Sequence, residues 1–545
     1  MNKQNCKISF SFSFHRIIIY IFFLMPFVFI FIIFIQRMNY HDGDLWWHLK
    51  TGEYILNNYY VPKFDIFSYI PTNRWINQSW LSEIIFFSVF NQFGMNGLIF
   101  LKIIILSMAF TIIFTMVYSK KLYIFSVYTL LLVVFASSHT FITRPQIFSF
   151  LFTAIYFYIL HRYKYKNSKF IFVLPILQIF WTNLHDGSLI GLIIIFSYLI
   201  GEVLAWKMKL PFQWNNNSII SGKRYYILLG IAIVTMLTSI VNPNGLIGAF
   251  HSFSIFIGPN RGNYQQVMRS IAEWRPPFTI YNFFKVHPYI SYKLIIIMSL
   301  FGFILNFKRV NISYLLIYII FLVSSLMYIR IIPIFAILAI PMTLFNIENT
   351  PSLKLISAIK KNTIHNFRLR NILSNLTLQI LLIASIIILI SKLFVSQYYF
   401  RNRIISSNEF DLLEPKGAID FIQKNYIQGN IFNNFEIGGY LIWKLFPHRK
   451  IFIDGRINTL YNPRFVLYYY SLFSNPKEFN KAAEHFNINF ILLSRLPFYE
   501  PFLKYLYKNE SWKIIYIDKF AVVFIKDSPL NKDIIMKYSD ISNFF

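Results

Sequence analysis

The sequence predicts a helical membrane domain of about 11 transmembrane helices, followed by a small α/β domain. Three observations support this fold class. Hydrophobic residues make up 56% of the 545 residues and charged residues only 14%, against ~25% charged in soluble domains. Apolar segments recur between short basic loops, and the composition becomes that of a soluble domain near residue 398. We therefore expect a multi-pass membrane domain over residues 1–397 and an α/β domain over residues 398–545.

The membrane helices are predicted from apolar segments that can cross the ~30 Å hydrocarbon core. The first covers residues 17–35, follows basic residues and lacks a small-residue cleavage site, so we expect an uncleaved transmembrane helix. The later segments cover residues 97–118, 122–141, 145–160, 170–184, 187–206, 225–249, 291–306, 312–329, 331–347 and 373–396.

The charge distribution predicts the orientation. Basic residues concentrate in alternate short loops, as the positive-inside rule requires, with the N-terminus in the cytoplasm. An odd number of spans then places the C-terminal domain outside the cytoplasm. The net charge of +29 is explained by these loops, so we expect a protein of the cytoplasmic membrane that contacts the lipid bilayer and no nucleic acid. The lone cysteine, Cys6, excludes an internal disulfide and a zinc site built on thiolates.

Alternating strand and helix patterns define the C-terminal domain. Strands are expected over residues 430–433, 450–454 and 490–494, and a hairpin over 512–517 and 521–526. One helix is expected to begin at Pro415 and another after the helix-breaking pair Gly438-Gly439. A third is expected over residues 476–487. This alternation favours a largely parallel sheet.

Acidic residues are concentrated in the outer loop over residues 36–96. The loop contains Asp42, Asp44, Glu53, Asp65 and Glu83. Its start, His41-Asp42-Gly43-Asp44-Leu45-Trp46-Trp47-His48, places two carboxylates at i and i+2, where they can converge on one cation or one substrate group. If a helix starts at Asp44, His48 lies one turn later on the same face. The alternative is that Asp44 only caps a helix beside an interfacial aromatic belt. Loops of this length are usually functional or disordered, and the tryptophans argue against disorder.

The outer-loop motif, placed directly after the first helix, resembles the acidic D-x-D-type motif of the GT-C superfamily of membrane glycosyltransferases. This superfamily includes protein mannosyltransferases, aminoarabinose transferases and oligosaccharyltransferases. Several stretches also resemble an uncharacterised bacterial group of GT-C-like proteins: residues 42–53, 62–69, 80–83, 433–443 and 452–456.

The resemblance implies an inverting transfer of a hexose or pentose from a polyprenyl-phosphate donor. The acceptor would be a hydroxyl of a glycan, lipid or protein, such as a cell-envelope glycan. Asp44 is the first candidate for the general base and Asp42 the second. A divalent cation, Mg²⁺ or Mn²⁺, held by Asp42 and Asp44 remains open, because members of the superfamily differ in metal use.

Other candidate site residues lie at the outer ends of predicted helices. Arg144 and Arg330 are candidates to bind the leaving phosphate, and the alternative is that they snorkel at the interface. His185 and Asp186 can shape a sugar pocket, complete a metal site with Asp42, or form a polar turn. His48 and Glu83 complete the candidate substrate-binding set. We expect Asp42, Asp44, Glu83, His185 and Arg330 to converge at the outer face, whereas Glu436, Asp454 and Arg456 are interpreted mainly as capping and turn residues.

Two other functions compete with a glycosyltransferase. One is a transporter or flippase for a lipid-linked or polyanionic substrate, and the other is a non-catalytic GT-C-like assembly protein. Secondary transporters place ionisable residues near the bilayer midplane in repeated halves, whereas here the acids lie at one rim and no repeat is evident. The presence of both Asp42 and Asp44 favours an active enzyme over an assembly protein.

Overall fold

The computed structural model describes residues 43–118, 123–215, 219–257, 262–278, 289–350, 414–457 and 459–538. Most of these residues are helical. The helices are α1 (Gly43–Asn58), α2 (Trp80–Val117), α3 (Tyr123–Ser137), α4 (Gln146–Lys166), α5 (Leu174–Leu184), α6 (Leu189–Lys207), α7 (Lys223–Thr238), α8 (Gly245–Ile257), α9 (Gly262–Ser270), α10 (Ile290–Leu305), α11 (Ile312–Met327), α12 (Ile332–Asn349), α13 (Lys416–Lys424), α14 (Phe435–Leu445), α15 (Pro463–Leu472), α16 (Pro476–His485), α17 (Glu500–Lys508) and α18 (Lys532–Lys537). The strands are β1 (Asn430–Asn433), β2 (Ile488–Ser494), β3 (Trp512–Ile517) and β4 (Ala521–Lys526).

The described residues form two compact units. The membrane unit takes its described residues from 99–242 and 271–350. The loop–tail unit takes them from 43–98, 243–270 and 414–538, and so combines the predicted outer loop with the C-terminal domain. The predicted domain boundary between residues 397 and 398 lies outside the described residues.

The apolar helices identify a multi-pass membrane protein. Within the described ranges, 3 helices are long and apolar enough to cross a membrane: Trp80–Val117, Asp186–Lys207 and Ile329–Asn349. Shorter apolar helices cover Phe125–Thr140, Lys169–Leu184, Ile290–Leu305 and Ile312–Met327. The predicted spans over residues 17–35 and 373–396 lie outside the described residues. The count of about 11 spans therefore stays a prediction.

Helix α12 lies at the centre of the membrane unit. Its sequence is apolar on every side, which is typical of a helix surrounded by others. Nearly all of its side chains are buried, and α3, α4, α10 and α11 pack around it.

The predicted single span over residues 225–249 is wrong. Helix α7 ends at Thr238, and α8 begins at Gly245 in the loop–tail unit. Pro243, which has no backbone N–H to continue a helix, lies between them. Gly245 has a φ of 56°, which favours glycine. The sequence Asn242-Pro243-Asn244-Gly245 is thus a helix-ending turn, as the residues themselves indicate.

The C-terminal sheet has the order β1-β2-β4-β3. Strands β1 and β2 are parallel, but β4 is antiparallel to both β2 and β3. The prediction of a largely parallel sheet is therefore wrong, because the β3–β4 hairpin adds to the edge of β2 in the opposite direction. The four strands themselves form where the β-branched and aromatic runs predict them.

Two local predictions in the C-terminal domain are also wrong. Residues 450–454 form no strand; Ile451 makes an isolated bridge to Ser68. The Asn433 side chain satisfies the neighbouring backbone instead, accepting from Phe452 N at 3.0 Å and donating to Ile453 O at 2.8 Å. Helix α14 runs through Gly438 and Gly439 rather than starting after them. The two glycines serve close packing there, since a Cβ on either would collide with a neighbouring carbonyl oxygen.

Candidate functional site

Asp44 lies in the first turn of α1, in the loop–tail unit. A carboxylate is favourable there, because the helix N-terminus carries a partial positive charge. Asp44 Oδ1 accepts a hydrogen bond from Trp47 Nε1, one turn later, at 3.1 Å. Asp44 is partly exposed. The hydrogen bond therefore orients the carboxylate within its own helix. Its predicted partner, Asp42, lies outside the described residues.

His48 and Glu83 are paired with each other inside the loop–tail unit. His48 Nδ1 lies 2.9 Å from Glu83 Oε1, and Asn77 Nδ2 donates to Glu83 Oε2 at 2.6 Å. Both side chains are buried, with His48 5% exposed and Glu83 0%. The pair joins α1 to the start of α2, on the predicted face one turn beyond Asp44.

The tail of the chain packs directly against the start of α1. A Cβ on Gly439 of α14 would collide with the Gly43 carbonyl oxygen, so only glycine permits this approach of the two helices. A Cβ on Gly455 would collide with Asp44 Oδ1 and lie 3.0 Å from Asp44 Cγ. The turn over residues 454–456 therefore borders the Asp44 carboxylate.

A buried ion cluster fixes this turn. The Arg456 guanidinium donates from Nε to Asp454 Oδ1 at 2.8 Å and from an Nη to Asp454 Oδ2 at 2.6 Å. The same Nη lies 2.9 Å from Asp65 Oδ1, and Arg456 is only 1% exposed. The Trp75 and Phe67 rings lie 4.5 and 5.1 Å from the guanidinium carbon. Burial alone would lower the pKa of Arg456, but Asp454 and Asp65 raise it well above its ordinary value, so the guanidinium remains charged.

Sequence reasoning missed this contribution of the tail. Asp454 does act as a turn residue, as expected, because its Oδ1 accepts from Arg456 N at 2.9 Å. The pairing of Arg456 with Asp65 across the chain was not expected. The sequence did contain one indication that the outer loop and the tail lie together, because both resemble the same group of proteins. The structure brings parts of all those stretches into one unit, through Asp44 with Gly455, His48 with Glu83, Asp65 with Arg456, and Gly43 with Gly439.

A second cluster lies in the membrane unit, where the turn after α5 meets the turn before α12. His185 Nε2 lies 2.8 Å from Asp186 Oδ1, and an Nη of Arg330 lies 3.9 Å from the same oxygen. The Arg330 guanidinium stacks over Trp274, with 4.5 Å from its carbon to the ring centroid. The predicted residue Arg330 thus comes together with the adjacent pair His185 and Asp186, from which it is distant in the sequence.

Local contacts orient His185. Its Nδ1 accepts from Gly187 N at 3.0 Å and lies 2.7 Å from Ser149 Oγ, which itself accepts from Trp181 Nε1 at 2.8 Å. Since Nδ1 accepts a backbone N–H, the proton of the neutral ring lies on Nε2, facing Asp186. The fourth predicted residue of this unit, Arg144, pairs with Glu273 at 3.4 Å.

The two clusters lie in different units, and the convergence of Asp42, Asp44, Glu83, His185 and Arg330 stays a prediction. So does the cation site on Asp42 and Asp44. Within the described part of the chain, no three His, Cys, Asp or Glu side chains lie close enough together to hold a metal ion.

Comparisons with known proteins identify the fold. Neither a protein-family model nor a curated protein matches the sequence. The archaeal oligosaccharyltransferase AglB from Archaeoglobus fulgidus, in complex with an inhibitory peptide and a dolichol-phosphate, is similar with a TM-score of 0.51. The apo form of the Archaeoglobus fulgidus oligosaccharyltransferase gives a TM-score of 0.50. Each is 12% identical in sequence to this chain, and each match covers 93% of this chain and 75% of the chain of the solved structure. The chain therefore shares the fold of these oligosaccharyltransferase structures.

Proposed function

We propose that the protein is an inverting membrane glycosyltransferase. It transfers a sugar from a polyprenyl-phosphate donor to an acceptor hydroxyl at the outer face of the cytoplasmic membrane. The observation that carries this proposal is the GT-C fold over 93% of the chain, combined with a partly exposed carboxylate in the first turn of the outer-loop helix. The similar AglB structure contains a dolichol-phosphate, and a lipid-linked phosphate is the donor that we infer for this chain.

Asp44 is the proposed general base. It accepts the proton of the acceptor hydroxyl while the hydroxyl oxygen attacks the anomeric carbon, and the bond from that carbon to the phosphate oxygen breaks. The hydrogen bond from Trp47 fixes one carboxylate oxygen, which orients the side chain for this transfer. Asp42 is the second candidate. We also propose that a Mg²⁺ or Mn²⁺ ion bound by the two aspartates would stabilise the negative charge of the leaving phosphate.

His48 and Glu83 act through position in this scheme. Both are buried and paired with each other, so they hold α1 in place behind Asp44. The candidate sugar contacts in the membrane unit are His185, with its Nε2–H, and Asp186.

Arg330 is the proposed ligand of the leaving phosphate. Its guanidinium can present two parallel N–H groups to phosphate oxygens, and the cation–π contact with the Trp274 ring restrains the side chain. Arg144 is the second cation of the membrane unit proposed for this role.

Replacing Arg330 tests the assignment of the leaving group. We expect Arg330→Gln to lower kcat/KM for the donor by roughly 10²–10³-fold, as for other lost transition-state donors. Arg330→Lys should also be impaired, because it cannot bind two oxygens with fixed geometry. If Arg330 only snorkels, the lysine variant will match the wild type. Arg309→Gln, on a partly exposed arginine that pairs with Gln213, is the matched control.

A reconstitution assay distinguishes the competing functions. The purified protein in liposomes would be supplied with radiolabelled polyprenyl-phosphate sugars and a set of acceptors. Transfer of label to an acceptor supports the proposal. Accumulation of label inside the liposomes without transfer indicates a transporter, and neither outcome indicates an assembly protein.

The loop charges predict the orientation in the cytoplasmic membrane. A reporter fused after Lys121 or Lys361 should lie in the cytoplasm, and one fused after residue 400 should be periplasmic or extracellular. The measurement is paired alkaline phosphatase and fluorescent-protein activity at each site. A cytoplasmic signal from the residue-400 fusion would show that the span count is wrong and would remove the basis for an outer-face site.

A further inference from the structure

We propose that Gly455 and Arg456 are positioning residues that set the orientation of the Asp44 carboxylate. This inference rests on the proposed function only for its effect on turnover. Its structural basis is independent: the tail turn over residues 454–456 borders the side chain in the first turn of α1, although some 410 positions separate them in the sequence.

The contact at Gly455 is specific to Asp44. The three atoms nearest to a Cβ built on Gly455 are Oδ1, Cγ and Oδ2 of Asp44, and Oδ1 would overlap with it. The backbone of Gly455 is not in the left-handed region, so alanine has no conformational penalty there. Position 455 therefore needs glycine because any side chain there would occupy the space of the Asp44 carboxylate.

Arg456 determines which partner moves when this space is filled. Its guanidinium and backbone N–H both bind Asp454, on the other side of Gly455, and Asp65 holds the guanidinium from the outer loop. Contacts between Arg456 and Asp454 thus hold the two ends of the turn together, and the buried contact with Asp65 fixes the turn in place. The Asp44 side chain rotates about two torsions, so it is the group that gives way.

The first experiment is a thermal-unfolding cycle that needs no substrate. It compares the wild type, Gly455→Ala, Asp44→Ala and the double variant. We expect Gly455→Ala to lower the unfolding temperature in the wild-type background and to have little effect in the Asp44→Ala background, because the overlapping atoms are then gone. Equal shifts in both backgrounds would overturn the proposal. Gly230→Ala, whose Cβ meets no atom within 4 Å, is the matched control; it should not lower the unfolding temperature, because alanine is the better helix former in α7, and it should leave turnover unchanged.

The second experiment observes the carboxylate through Trp47. The protein carries 10 tryptophans, so 5-fluorotryptophan labelling with Trp47→Phe assigns the Trp47 resonance in a ¹⁹F NMR spectrum. Gly455→Ala should shift that resonance, because displacement of Oδ1 alters the hydrogen bond to Trp47 Nε1. An unshifted resonance would contradict the proposal even if turnover falls.

The third readout is kinetic. We expect Gly455→Ala to lower kcat by roughly 10²-fold with donor KM near the wild-type value, since a misplacement of about 1 Å has effects of that order. Wild-type kcat in this variant would overturn the positioning role. If the wild-type protein transfers no sugar while the cycle and the Trp47 shift appear as expected, the positioning contact stands and the glycosyltransferase proposal fails.

Discussion

Asp44→Asn is expected to abolish sugar transfer and to leave the protein folded and inserted. Asparagine is nearly isosteric with aspartate and can still accept the hydrogen bond from Trp47 and occupy the space beside Gly455. It cannot take the proton of an acceptor hydroxyl at neutral pH. General-base catalysis contributes about 10²–10⁴-fold, so kcat should fall by at least that order. The measurement is initial transfer rate with donor in excess, so that weakened binding is not mistaken for lost chemistry.

The control for Asp44→Asn is Asp420→Asn, the same change of charge on an exposed residue of α13. It should leave transfer unchanged. Asp42→Asn adds a test of metal use. If both aspartates bind a cation, the two variants should be equally impaired; if Asp44 works alone, Asp42→Asn should be milder. Wild-type turnover in Asp44→Asn would leave Asp44 as a helix-terminal residue beside an aromatic belt, and another base would be required.

The helices were predictable from the sequence because an apolar segment can be satisfied in only a few ways. Helix α12, for example, is apolar on every side, and hydropathy alone locates it. The errors arose where an apolar run can form either one continuous helix or strand, or an element that is interrupted or replaced by other contacts. The segment over 225–249 is apolar on both sides of Asn242-Pro243-Asn244-Gly245, and the break depends on Pro243 and the positive φ of Gly245. The run over 450–454 is β-branched, but the Asn433 side chain binds its backbone in place of a strand.

The membrane-unit site was partly predictable, because a charged residue between apolar neighbours has few stable positions. Arg330, flanked by Ile329 and Ile331, is such a residue, and it lies near Asp186 and over Trp274. The tail contacts were not predictable in the same way. Nothing in the local pattern of Asp454-Gly455-Arg456 distinguishes an exposed turn from one buried against another segment. The pairing with Asp65 is a contact between distant segments, and a single sequence contains no measure of it.

Arg456→Met is expected to destabilise the loop–tail unit by ~3–5 kcal/mol, the usual effect of removing one partner from a buried ion cluster. Methionine fills much of the same volume and keeps contact with the Trp75 and Phe67 rings, so the lost packing is small. What remains is the pair of carboxylates of Asp65 and Asp454, both buried, with no cation between them. The measurement is thermal unfolding in detergent followed by tryptophan fluorescence, with limited proteolysis of the outer loop and tail as a second observable.

The control for Arg456→Met makes the same replacement on the surface. Arg464 is exposed at the start of α15, and Arg464→Met should change stability by no more than ~0.5 kcal/mol. A triple replacement of the cluster by apolar residues of similar volume should recover most of the lost stability. If Arg456→Met unfolds at the wild-type temperature, the cluster does not hold the turn, and the Asp44 carboxylate must be oriented by α1 alone.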